Sequence, residues 1–249
     1  MTGAEVSVTG VVAALRSEAR CLPPNARHLR VQASGMGAER AARTAQGLAS
    51  EGVGALLCFG VAGALDPGLR CGDVILASEV ICAQPLALQL PGMRPAALPG
   101  SARIRTSERW RAALAAALLR EGSVLQAPLL TSSELICDTQ QKRRLYRQTG
   151  AVAVDMESAA VGVVANLHGL PFMVLRVVAD TAQDALPEVL RQLVAAQPPG
   201  ASEWVSWLQL LGAPGAWPGL LRMARRYQHA RAVLRHCGQL ARREIRPPA

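Results

Sequence analysis

Apolar residues recur along this chain in two distinct periods. Val6–Ala14 is a short β-branched run, Ala55–Phe59 is continuously apolar and stops at Gly60, and Pro171–Val178 is apolar up to Asp180. Short continuous runs of this kind predict strands buried on both faces. Leu29–Ala33, Asp73–Val80, Val124–Leu130 and Ala151–Val154 predict further strands. Between them the spacing turns helical. A turn at Ser34-Gly35-Met36-Gly37 opens a helix that puts Ala41, Ala45 and Leu48 on one face. Glu108–Arg120, Lys142–Gln148 (stopping at Gly150) and Met156–Asn166 predict three more helices. Strand, crossover and strand at this spacing imply an α/β fold, with a mostly parallel central sheet flanked by helices. No repeat is visible, which argues against a solenoid.

The pattern changes after Pro198-Pro199-Gly200, the clearest linker. The expected organisation is a catalytic domain over 1–198 and a basic, helical extension over 199–249 packed on it. Within the extension, Trp204, Trp207 and Trp217 cluster with leucines. Trp217, Leu220, Leu221 and Ala224 share one helical face, and Arg222, Arg225 and Arg226 the other. Three readings stand: packing on the core or a subunit interface, contact with a membrane or a lipidic substrate, and nucleic-acid binding. The last has charge behind it but no recognition motif.

Composition bounds the function. Of 249 residues half are hydrophobic, so a sizeable core forms, and only 3% are aromatic, so Leu, Val and Ala build it. The net charge of +9 is uneven: Arg222 to Arg246 holds eight arginines against one acid, Glu244. Such a tail suits an anionic partner. The six cysteines show no C-x-x-C pair and no zinc spacing, which fits free thiols in a reducing compartment and no metal. The first residues lack the basic and apolar regions of a signal peptide. No segment reads as a transmembrane helix. The expected location is the cytoplasm, with peripheral contact at the inner membrane left open.

Candidate chemistry collects where the strands are expected to end, since ligands of open α/β sheets sit beyond the carboxyl ends of strands. Glu18 follows the first strand, Glu157 follows Ala151–Val154, and Asp180 closes Pro171–Val178. Arg176 is a charge inside an apolar strand and requires an anionic partner. Two glycine turns, Ser34-Gly35-Met36-Gly37 and Gly60-Val61-Ala62-Gly63, would bring backbone N–H groups close to a ligand. Taken singly, each has a plainer reading: a strand-end Asp as a cap or turn former, Glu18 as a solvated helix-start carboxylate, Arg176 in a structural ion pair.

Together they match a family pattern. Val154-Asp-Met-Glu-Ser-Ala-Ala160 and Pro171-Phe-Met-Val-Leu-Arg-Val-Val-Ala-Asp180 resemble the purine nucleoside phosphorylase / methylthioadenosine–adenosylhomocysteine nucleosidase superfamily. So do Ser34-Gly-Met-Gly37, Gly60-Val-Ala-Gly63, Leu69-Arg-Cys-Gly-Asp73 and Ala14-Leu-Arg-Ser-Glu18. The resemblance implies cleavage of a purine N-glycosidic bond without a cofactor. It makes Asp180 the donor to purine N7, Glu157 the acceptor of ribose hydroxyls, and Met156 a packing surface for the sugar. The backbone near Ile136 would read the base edge. Glu18 matches the water-activating glutamate and Arg176 its supporting arginine, which favours hydrolysis. Phosphorolysis would instead seat inorganic phosphate, as co-substrate, against the Gly35–Gly37 amides and a nearby Arg. Val61 replaces a common Ser and Leu135 a base-stacking aromatic, both departures from a standard methylthioadenosine nucleosidase.

The chain with its Trp-Pro-Gly-Leu-Leu-Arg-Met-Ala-Arg-Arg stretch is most similar to the hopanoid-associated phosphorylases. That implies adenine release from adenosylhopane, a lipid-linked nucleoside, by a homodimer or higher oligomer. The alternatives are methylthioadenosine/adenosylhomocysteine or other purine nucleoside cleavage and, in another class, a non-catalytic module that holds a nucleotide or docks on a membrane.

Overall fold

The computed structural model describes residues 8–88, 90, 96–119, 124–187, 190–191 and 217–247. The expected linker at Pro198-Pro199-Gly200, and with it the 198/199 boundary, lies outside the described residues, as do Trp204 and Trp207.

The apolar runs form strands β1 (Thr9–Ala13), β2 (Leu29–Ala33), β3 (Ala55–Ala64), β4 (Val74–Cys82), β8 (Val124–Thr131), β9 (Ala153–Asp155) and β10 (Phe172–Asp180). Three short strands, β5 (Leu86–Leu88), β6 (Ala96–Leu98) and β7 (Arg103–Arg105), were not anticipated. At three residues each they carry too little periodicity to register in a sequence. The helices are α1 (Arg16–Ala19), α2 (Ala38–Ser50), α3 (Glu108–Leu118), α4 (Thr139–Thr149), α5 (Ser158–Leu167) and α6 (Trp217–Leu240), followed by a 3-10 turn over Ala241–Arg243. Helix α4 starts earlier than its apolar pattern because Asp138 caps it, accepting from the N–H groups of Gln140 and Gln141. It ends at Gly150, which takes the left-handed conformation.

The sheet is mostly parallel: β1–β2, β1–β3, β3–β10, β4–β8 and β8–β9 run parallel, whereas β3–β9, β4–β10 and β4–β7 are antiparallel. It is not open, however. Strands β3, β10, β4, β8 and β9 pair in turn and close back on β3, and β1 and β2 extend the sheet beyond β3.

Strand β10 shows why its sequence is continuously apolar. Phe172, Val174 and Val178 enter the core beneath α2 and α5, while Met173, Leu175 and Val177 enter the core covered by α3 and α6. Both faces are dry, so alternation is lost. Helix α6 buries Ala230, Leu234 and Cys237, and Ala241 in the following turn is buried too. This stripe differs from the expected one. Leu221 is exposed, and the side chains of Trp217 and Leu220 lie outside the described residues. Trp110 of α3 is buried and donates its ring N–H to the Glu244 carbonyl (2.7 Å), tying the chain's last turn to the core.

Candidate active site

The ends of β1, β9 and β10 and the second half of β3 meet at a cleft of about 140 Å³. Its lining includes Glu18, Met36, Val61, Leu135, Ile136, Asp155, Met156, Glu157, Asp180 and Leu186.

A buried guanidinium underlies it. Arg176 is 1% exposed and donates to one oxygen of Asp155 through Nε (2.9 Å) and Nη2 (2.5 Å). Nη2 also lies 3.4 Å from Glu157 Oε2, 3.3 Å from Ser158 Oγ and 3.1 Å from Cys58 Sγ. Two hydrogens on Nη2 cannot serve every neighbour, so the short contact to Asp155 dominates and Glu157 is held more by charge. Asp155 is saturated from its other side: Thr131 Oγ1 donates at 2.7 Å, and the Ser158 hydroxyl donates to the oxygen that faces Arg176. Burial pushes the Cys58 thiol up to about 12, leaving it neutral.

Glu157 sits at the junction of β9 and α5, where its Oε1 accepts the Gly37 N–H (2.8 Å). Gly37 has φ of 103°, open only to glycine, and this turns its N–H toward the cleft. Burial raises Glu157 to about 7; Asp155 adds to the rise and Arg176 opposes it. Glu18, on α1, is 2% exposed and accepts from the N–H groups of Leu15 and Val61 at 3.0 Å each. Burial raises its pKa, against the pull of Arg176 and these backbone bonds. Asp180 closes β10. Burial raises it as well, against Lys142 and Arg226.

Asp180, Glu18, Glu157, Met156 and Ile136 line one cleft, with Arg176 beneath it. Gly35 and Gly37 form the loop on the Met36 side. One correction follows. Gly60-Val61-Ala62-Gly63 is not a turn but the second half of β3. Its glycines make room for the site's side chains. A Cβ at Gly60 would lie 2.5 Å from Arg176 Nη1 and 2.9 Å from the Glu18 carboxylate, and one at Gly63 would lie 3.1 Å from Asp180. The anionic partner that Arg176 needed is Asp155, and Glu18 feels the same guanidinium through charge.

Two residues were missed, Asp155 and Lys142. Asp155 had a faint signal, a carboxylate two residues before Glu157 at the end of a strand. Lys142 reads in the sequence only as the start of a helix. Its signal was being the one lysine among 27 basic residues. It is fully buried, and its Nζ donates to Asp180, to the Thr181 carbonyl (2.9 Å) and to the Asp184 carbonyl (3.0 Å). Among the described residues no group of three or more His, Cys, Asp or Glu could hold a metal ion. No described helix is long and apolar enough to cross a membrane.

Residues 25–197 match the model of the Phosphorylase superfamily. The chain is 33% identical over 134 residues to an aminodeoxyfutalosine nucleosidase of Campylobacter jejuni, covering 53% of this chain and 58% of that one. It is 28% identical over 138 residues to a 5′-methylthioadenosine/S-adenosylhomocysteine nucleosidase of Shewanella piezotolerans, covering 52% and 58%. It therefore spans under two thirds of these relatives' length. The fold matches the 5′-methylthioadenosine/S-adenosylhomocysteine nucleosidase of Neisseria meningitidis with a TM-score of 0.68 at 17% identity, over 96% of this chain and all of that one. The corresponding Campylobacter jejuni nucleosidase matches at 0.66 and 17%, over 96% and 98%.

Proposed function

The chain belongs to the Phosphorylase superfamily, and from that premise we propose that it cleaves the N-glycosidic bond of a 5′-substituted adenosine by hydrolysis, releasing adenine. The observation that carries this reading is the gathering of three carboxylates around one cleft, Glu18 and Glu157 buried and Asp180 partly buried, each with a raised pKa. Bond breaking leaves positive charge on the ribosyl group and negative charge on the purine. Glu157 accepts the ribose hydroxyls, and its charge stabilises the ribosyl cation. Asp180 protonates N7, an effect worth roughly 10²–10⁴-fold, and burial favours the protonated form this needs. Glu18 takes a proton from the attacking water, Met156 packs on the sugar, and the backbone at Ile136 meets the base edge.

Water is favoured over phosphate by charge. Arg176 is already engaged by Asp155 and Glu157, and the Gly37 N–H, an anion donor in the phosphorolytic scheme, is taken by Glu157. An incoming phosphate would meet carboxylates.

For the 5′ substituent, the reading is adenosylhopane. Leu135, Leu186, Met36 and Met156 give the cleft apolar walls. At about 140 Å³ the cleft is smaller than ordinary ligand pockets of roughly 300–1,000 Å³, so a triterpene tail has to leave through its mouth. The exposed arginines 222, 225, 235, 242 and 243 suit anionic headgroups beside such a lipid. On the same reading the enzyme is a homodimer in the cytoplasm that touches the inner membrane peripherally. The shared fold and the partial relatives also keep methylthioadenosine and adenosylhomocysteine as a second reading.

Purified protein incubated with adenosylhopane, methylthioadenosine or adenosylhomocysteine, with and without phosphate, tests all of this by chromatography of adenine. Phosphate-independent release from adenosylhopane is expected. Release only from methylthioadenosine removes the lipid reading, release only with phosphate removes hydrolysis, and none from any substrate removes the activity. Asp180→Asn is expected to lower kcat about 10²-fold or more.

A further inference from the structure

We propose that Lys142 is a positioning residue for the leaving-group acid: a fixed, buried cation that holds the Asp180 carboxyl in place and makes it a strong enough acid to protonate the purine. The inference rests on the activity proposed above.

The geometry is specific. An ammonium has three N–H donors. Those of Lys142 go to Asp180 Oδ2, the Thr181 carbonyl and the Asp184 carbonyl, and none is left over. With both carbonyls dependent on it and its side chain fully buried, Lys142 cannot swing away without stranding buried acceptors. Its contact occupies Oδ2, which leaves Oδ1 for the base.

The position in the fold fits this role. Lys142 projects from the first turn of α4, outside the ring, and reaches the end of β10. The same cation pins the segment after β10, whose Asp184 carboxylate also accepts from the Thr181 N–H (2.8 Å) and pairs with Arg226 of α6. Besides Lys142, the charged and titratable groups facing Asp180 are Arg226 and Cys71, the latter in the turn before β4.

The proton balance is simple. As the C1′–N9 bond breaks, its electron pair passes to the purine, and Asp180 Oδ1 gives its proton to N7. Asp180 becomes a carboxylate beside Lys142. Water loses one proton to Glu18 as it attacks C1′, and that proton returns to Asp180 through solvent when products leave. Burial favours the protonated acid but also holds its proton more tightly. The lysine offsets part of that rise, as the opposing directions at Asp180 indicate.

The test pairs two leaving groups. Lys142→Met is expected to slow adenine release roughly 10²-fold, mainly in kcat, within the range of lost acid catalysis. It is expected to change cleavage of 4-nitrophenyl riboside, whose leaving group needs no proton, by about threefold or less. Because the cation favours ionised Asp180, removing it should also move the alkaline limb of the rate profile to higher pH. The double variant Lys142→Met/Asp180→Asn is expected to be no slower than Asp180→Asn alone.

Equal slowing of both substrates with an unmoved limb would overturn the proposal, as would additive losses in the double variant. If the single variant fails to fold, the double variant, which has no carboxylate to strand, still gives the comparison with Asp180→Asn. A wild-type protein that releases no adenine would sink the activity reading itself, a different failure from an active enzyme indifferent to Lys142.

Discussion

Arg176 carries a positive charge into a wall of strands, where an unpaired ion would cost several kcal/mol. Asp155 answers it through two nitrogens and is itself filled by Thr131 and Ser158. Arg176→Met removes the cation and leaves Asp155 and Glu157 facing each other without a counter-charge. The expected loss is about 3–5 kcal/mol of stability, seen as a lower denaturant midpoint, with activity falling alongside because Glu157 is released. At this scale the sequence was partly legible. Glu18, Glu157 and Asp180 stood out because strand ends and family spacing both marked them. Asp155 and Lys142 did not, because their role depends on a partner far away in the chain: Lys142 and Asp180 are 38 residues apart.

Among the elements, α6 departs most from its sequence pattern. Its leucines and arginines suggested a stripe through Leu221, yet the helix seats Ala230, Leu234 and Cys237. Leu234 is fully buried against the β10 side of the sheet. Leu234→Ala is expected to cost about 2–5 kcal/mol, measured by chemical denaturation, whereas Leu221→Ala at an exposed position should stay within about 0.5 kcal/mol. An equal cost at both sites would mean that α6 packs through the stripe its sequence first suggested. Strand β3 also outran its pattern. Gly60 reads as a stop in any local rule, but the strand passes it because Arg176 and Glu18 occupy the space a side chain would take. Long strands and helices were legible because their periodicity is local. The closure of the ring was not, because it depends on which strands meet.

For the whole molecule, gathering three carboxylates at one poorly solvated place couples folding to pH. Glu18, Glu157 and Asp180 all bind protons more tightly when folded than when unfolded. Their contribution to stability is thus complete below the ordinary carboxylate range and is lost as pH rises through the raised values, which for Glu157 means about 7. The free protein is expected to melt at a higher temperature near about pH 5 than near about pH 8. Glu157→Gln should flatten that slope, and a slope unchanged by the substitution would place its origin elsewhere.

The closed ring of β3, β10, β4, β8 and β9 carries a consequence for how such a protein can change over evolutionary time. Every strand in it is paired on both sides, so none can slide without breaking two ladders. The spacing between Glu157 on the β9 side and Asp180 on the β10 side is then inherited almost as a constant. New substrates have to be accommodated in the connections, at Glu134–Ile136 and in the segment following Asp180. Diversity among descendants of this chain should therefore concentrate there, while the chemistry stays where the ring holds it.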